Sequence, residues 1–156
     1  MKFTHLDSAG QARMVDVTDK QPTKRAATAS ATVVCDPEIL KRIASGEIPK
    51  GDVLAVARIA GIAAAKRTPE LLPLAHVIGV HGAAVDLTLG PESIEVVATV
   101  RTADRTGVEM EALTAASVAA LALIDMVKGL DRHAHIREVK LLAKEGGRSG
   151  SWRRDV

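Results

Sequence analysis

The longest unbroken hydrophobic pattern in the chain runs from Arg105 to Lys128, RTGVEMEALTAASVAALALIDMVK. Ala, Leu, Val, Ile and Met dominate it, which predicts a helix with little exposed surface. Polar residues interrupt the pattern at Glu109, Glu111, Thr114, Ser117, Asp125 and Lys128. At about 100° per residue, all of them but Glu109 fall within a sector of about 120°. Glu111 and Asp125 come almost into line about four turns apart, and Lys128 follows Asp125 at i+3. A helix apolar on its other sides either turns such a stripe into a cleft or leaves it facing water.

The rest of the chain alternates between two periods. Arg13 to Val17 and Arg25 to Cys35 alternate with period two and predict strands. Asp36-Pro37 supplies an N-cap with proline at the first helical position, and Gly46 ends the helix that contains Leu40, Ile43 and Ala44. Asp52 caps a second, almost wholly apolar helix, Val53 to Arg67, and Gly61 inside it predicts close contact with another backbone. Thr68-Pro69-Glu70 begins a short helical turn. Ala83 to Leu89 and Ile94 to Thr102 flank Gly90-Pro91-Glu92-Ser93 and predict a β-hairpin. After the long helix, Ile136 to Ala143 reads as a strand, Glu145 to Gly150 as a flexible loop and Ser151 to Arg154 as a short closing strand. This order predicts an α+β fold, a mainly antiparallel sheet with helices on one face. With no repeat and no linker, residues 1–156 are expected to form one domain, with 1–10 loosely held.

Composition then removes several function classes. The 156 residues are 47% hydrophobic and 26% charged, enough for a real core and incompatible with wholesale disorder. One Phe, one Trp and no Tyr leave nothing on which to stack single-stranded bases. The net charge is only +2, but cations gather at Lys24-Arg25, at Lys66-Arg67, and at Arg148 with Arg153-Arg154. Local clusters on a nearly neutral chain suit a small anionic ligand better than a polyanion. The single Cys35 excludes an internal disulfide and a cysteine-based zinc site. The first residues lack the apolar core of a signal peptide, and Ala112 to Ile124 is short for a membrane span. A cytoplasmic, soluble protein that binds neither nucleic acid nor membrane is expected.

Candidate chemistry is scattered. Lys50, between Pro49 and Gly51 on a loop entering a helix, suits a phosphate at a helix N-terminus, or is an ordinary surface lysine. Gly146-Gly147-Arg148-Ser149-Gly150 reads as a backbone nest for phosphate or as a turn. No P-loop pattern occurs. His76 is either structural or a ligand. His133 and His135 could share a strand face, but no acid or Cys completes a metal set there.

Taken together, the motifs carry more than any one alone. Lys50-Gly51-Asp52, Ala57-Arg-Ile-Ala-Gly-Ile62, Ala65-Lys-Arg-Thr68, Thr106-Gly-Val-Glu-Met-Glu-Ala-Leu113, Thr114-Ala-Ala-Ser-Val-Ala-Ala-Leu121, Asp125-Met-Val-Lys128 and Leu142-Ala-Lys-Glu-Gly-Gly-Arg-Ser-Gly150 follow one another in order. From Arg13 to its C-terminus the chain resembles the MoaC family of molybdenum-cofactor biosynthesis. The resemblance implies a ferredoxin-like fold and a homohexamer, a trimer of dimers with the site at a subunit interface. It implies conversion of a 3′,8-cyclised dihydro-GTP to cyclic pyranopterin monophosphate with release of pyrophosphate. By position, Asp125, Lys128 and Lys50 are the catalytic residues. Leu74, Ala75 and His76, with Met110 and Glu111, match the segments that hold the substrate, and Lys66, Arg25 and Lys144 match positions that either meet the phosphates or support the residues that do. No cofactor is required, and Mg2+ arriving with the triphosphate is compatible.

The residue types suit those roles. Departing pyrophosphate needs cations over its oxygens, and ring opening and closure need proton transfers that a desolvated lysine can perform. The chain departs from the family at Leu74-Ala75-His76-Val77, where Leu-Cys-His-Pro is usual, and at Ile124, where Tyr is usual. The competing reading is a guanine-nucleotide-binding oligomeric module without turnover, supported only by Ala75 and Val77. A ferredoxin-like RNA-binding domain fails on the missing aromatics.

Overall fold

The computed structural model describes residues 5–155. Period-two patterning becomes one antiparallel sheet of β1 (Thr23–Val34), β2 (Gly82–Leu89), β3 (Ser93–Asp104), β4 (His135–Glu145) and β5 (Trp152–Arg153). Its order is β2-β3-β1-β4-β5. Ala27, Ala29, Ala31 and Val33 of β1 and Ile94, Val96, Ala98 and Val100 of β3 turn to one face and are buried. Four helices accompany the sheet: α1 (Pro37–Ala44), α2 (Val53–Ala65), α3 (Thr68–Leu71) and α4 (Glu109–Val127). The succession β1-α2-β2-β3-α4-β4 is the βαββαβ pattern of ferredoxin-like folds, with α1, α3 and β5 added. The α+β architecture is therefore as expected.

The sequence signals account for the boundaries. The Asp36 carboxylate accepts from the Glu38 N–H at 2.8 Å and the Asp52 carboxylate from the Ala55 N–H at 2.9 Å, so both predicted caps form. α4 lies across the sheet, with Ala112, Ala115, Ala116, Ala119 and Ala120 all fully buried. Small side chains let α2 approach α4 closely. A Cβ on Gly61 would stand 2.8 Å from the Ala115 carbonyl oxygen, so the predicted backbone contact is real. By length and apolarity α4 could cross a membrane, but ten of its residues are buried in the fold.

Two expectations are corrected. Arg13 to Val17 is not a strand, because it has no ladder partner among the described residues. Its alternation serves another purpose: Val15 and Val17 are half-buried while Met14 and Asp16 are exposed. The long helix begins at Glu109, four residues later than expected from Arg105. The Arg105 N–H is engaged by the Asp104 carboxylate at 2.7 Å and its carbonyl by Arg25 at 3.2 Å, which holds it out of the helix.

Candidate active site

The sequence-predicted residues separate into groups at the two ends of α4. At its C-terminal end, Lys128 Nζ donates to Asp125 Oδ1 at 2.5 Å. Lys50 reaches the same turn because α2 runs antiparallel to α4. It donates to the Asp125 carbonyl at 2.5 Å and stands 3.9 Å from Oδ2. The helix C-terminus, with its free carbonyls, favours cations there. The hydrogen bond from Lys128, then the charges of Lys128 and Lys50, hold the Asp125 carboxyl below the usual range. All three side chains are roughly half exposed. Exposed ion pairs add only about 0–1 kcal/mol to stability, so folding alone does not explain two lysines on one aspartate. Two ammonium groups beside a fixed carboxylate can bind an anion and move protons.

At the other end the helix starts after Val108 without a side-chain cap, and a cavity of about 420 Å³ opens there. Leu74, Ala75 and His76 line one side, Met110 and Glu111 the helix side, and Val15, Val17 and Lys20 a third. Glu111 is only 3% exposed. Loss of water pushes its carboxyl up to about 7, helped by the Glu109 charge and opposed by its own backbone N–H. The predicted polar stripe is thus divided: Glu111 and Thr114 are buried, Asp125 and Lys128 open to solvent. His76 Nε2 lies 2.6 Å from the Val15 carbonyl.

A second cavity adjoins the first, and Lys20 lines both. Arg25, Gly147, Arg148 and Ser149 complete its cationic rim. Arg25 donates Nε to the Asp104 carbonyl at 3.0 Å and Nη2 to that of Arg105, which fixes the guanidinium. Gly147, at φ +76°, packs directly against it, where a Cβ would overlap. Lys144 donates to Ser149 Oγ and so joins this group. Lys66, the exposed C-cap of α2, lines neither cavity.

One chain therefore gathers Leu74, Ala75, His76, Met110 and Glu111, with Arg25 and Lys144 in the adjoining basin. Asp125, Lys128 and Lys50 are elsewhere, because fourteen helical residues separate Glu111 from Asp125, a rise of about 21 Å. Residue reasoning missed the contributions of His5, Val15, Val17, Lys20 and Thr106 to the first cavity. The alternation at Val15 and Val17 was a usable signal, read as a strand. His81 and His135 are structural: His81 Nδ1 accepts from the Ala103 N–H at 3.2 Å, and His135 Nδ1 donates to the His133 carbonyl at 2.9 Å. Cys35 is inert, its thiol pushed up to about 12 by burial and by Asp131.

The MoaC family model matches residues 14–147. The chain belongs to the MoaC family. Its relatives in that family match over nearly the whole of this chain. A Geobacter metallireducens protein is 57% identical over 157 residues, covering 99% of this chain and 98% of its own length. A Chloroflexus aurantiacus protein is 56% identical, covering 98% and 95%. A Streptomyces avermitilis protein is 54% identical, covering 98% and 90%. Each of the three is named cyclic pyranopterin monophosphate synthase.

Proposed function

We propose that this MoaC-family chain is a cyclic pyranopterin monophosphate synthase of molybdenum-cofactor biosynthesis, a lyase. It takes 3′,8-cyclo-7,8-dihydroguanosine 5′-triphosphate to cyclic pyranopterin monophosphate and pyrophosphate. The observation that carries this reading is the solvent-open Lys50–Asp125–Lys128 cluster, an arrangement stability does not require. In this reading Lys50 and Lys128 neutralise developing phosphate charge and exchange protons with the ring, while Asp125 orients both ammonium groups. The cavity over Glu111, with Leu74, Ala75, His76 and Met110, receives the base-derived rings. Lys20, Arg25, Lys144 and Arg148 face the triphosphate, and Lys66 stands outside this basin within one chain. No resident cofactor is needed, and Mg2+ would travel with the phosphates.

Reacting groups must meet within about 3–3.5 Å, so two clusters about 21 Å apart on one helix cannot serve one substrate from one chain. The reading therefore includes a homohexamer, a trimer of dimers, in which one protomer's lysine cluster faces its neighbour's Glu111 cavity. It works in the cytoplasm, where GTP-derived triphosphates are kept. The test is direct: cyclised dihydro-GTP with the purified protein, pyranopterin and pyrophosphate being measured together. Lys128→Ala should lower turnover at least about a hundredfold, some 2.7 kcal/mol of barrier, with assembly intact. Turnover within about tenfold of the parent would remove Lys128 from the chemistry.

A further inference from the structure

We propose that residues 13–20 are a strap closed over the Glu111 cavity, and that His76 is the positioning residue that latches it. The proposal rests on reading that cavity as the substrate pocket. The strap belongs to no sheet; the Arg13 N–H bonds the His5 carbonyl at 2.9 Å where the strap begins, and beyond that point side chains of the body hold it. His76 Nε2 bonds the Val15 carbonyl at 2.6 Å, and Arg105 Nε bonds the Lys20 carbonyl at 2.9 Å. Between these two points the strap keeps its own shape. The Asp16 carboxylate accepts from the Thr18 N–H at 2.9 Å and its hydroxyl at 2.6 Å, and the Lys20 N–H bonds the Val17 carbonyl at 3.0 Å.

Apart from Val15 and Val17, every residue of the strap is exposed. A stretch from Val15 to Lys20 with so few buried contacts and two side-chain tethers to the body opens locally far more readily than the sheet beneath it. His76, on the loop after α3, lines the cavity itself, and Arg105 precedes Thr106, which lines it just before α4. When they hold, Val15 and Val17 form a wall and Lys20 stands where the cavity meets the Arg25–Arg148 basin.

The chemistry of the imidazole decides its role. A carbonyl oxygen only accepts, so Nε2 carries the hydrogen, and in the neutral ring Nδ1 is left as an acceptor. While the strap is closed, Nε2 is therefore not available to a ligand. His76 acts on the substrate through the wall and the cation it holds in place. An anionic substrate bound under an unlatched strap loses Lys20, which should weaken binding more than it slows the chemical step.

The experiment is hydrogen exchange on the ligand-free protein together with steady-state kinetics. In His76→Leu, the Thr18 and Lys20 amides, the ones hydrogen-bonded within the strap, should exchange at least about tenfold faster while α4 keeps its protection. KM should rise about tenfold or more with kcat within about threefold. His76→Gln, whose side-chain N–H can take the place of Nε2–H, should restore both. Arg105→Leu, which removes the other tether, should loosen the same amides. Unchanged strap exchange in His76→Leu overturns the proposal. So does a His76→Gln variant that recovers protection but keeps the high KM, since the ring would then touch substrate itself. A protein without synthase turnover would overturn the proposed function and leave the strap to be decided by exchange alone.

Discussion

Burying Glu111 to 3% exposure strips its carboxylate of water, and the carboxyl responds by holding its proton up to about 7 rather than 4.5. The folded chain thus binds a proton here that the unfolded chain releases between those two values. Stability from this group is complete below 4.5 and is lost as pH rises through about 7. The shift corresponds to roughly 3 kcal/mol at about 1.4 kcal/mol per unit. Glu111→Gln should remove that loss, so the variant gains on the parent between pH 5 and pH 8 in urea midpoints of the ligand-free protein. Asp125 and Asp131, whose carboxyls lie below their usual range, act only at lower pH and do not cloud the window. An equal pH slope in both proteins would show that Glu111 stays ionised. Sequence placed Glu111 on a polar stripe and matched it to a substrate position, but could not show that it is buried. Asp125 lies on the same stripe in open solvent. What separates them is which neighbours cover each end, and no periodicity carries that.

Among the elements, those fixed by local chemistry were legible. Asp36-Pro37 and Asp52 place helix starts because their carboxylates accept from first-turn N–H groups, and Gly61 announces a close helix contact through its missing side chain. What was not legible depends on distant partners. Arg13 to Val17 has the pattern of a strand but no edge to join, and the start of α4 is delayed by a guanidinium from β1. The α2–α4 contact can be tested at Gly61. Alanine there would gain about 1 kcal/mol in helix propensity. Its methyl would stand 2.8 Å from a carbonyl oxygen held in the α4 ladder and 3.0 Å from Val85. Overpacking of that kind costs about 1–3 kcal/mol, so Gly61→Ala should be net destabilising, read as a lower urea midpoint at unchanged slope. A stabilised variant would mean that the helices separate without cost.

At the scale of the whole molecule, the surface is too large for the mass. A folded 16.4 kDa monomer would expose about 7,500 Å², and this chain exposes 9462 Å². Part of the excess is apolar: Ile59 is 68% exposed and Val56 42% on α2, and Leu121 57% on α4. A helix apolar on every side wants a second partner, and another copy of the chain would supply one. On the proposed hexameric reading, Ile59→Glu should therefore lower the mass seen in light scattering and abolish turnover, although Lys50, Asp125 and Lys128 are untouched. A charged variant that stays assembled and active would place the interface elsewhere.

The length of α4 between Glu111 and Asp125 also bears on inheritance. Where two chains share each centre, a lesion at one end of the helix damages the centre on one side and spares the other. A mixed pair with opposite lesions concentrates both defects in one centre and leaves its twin intact. Random pairing of two such dead chains in equal amounts would keep about a quarter of the centres whole. Alleles broken at opposite ends of one helix would then complement each other, and alleles broken at the same end would not.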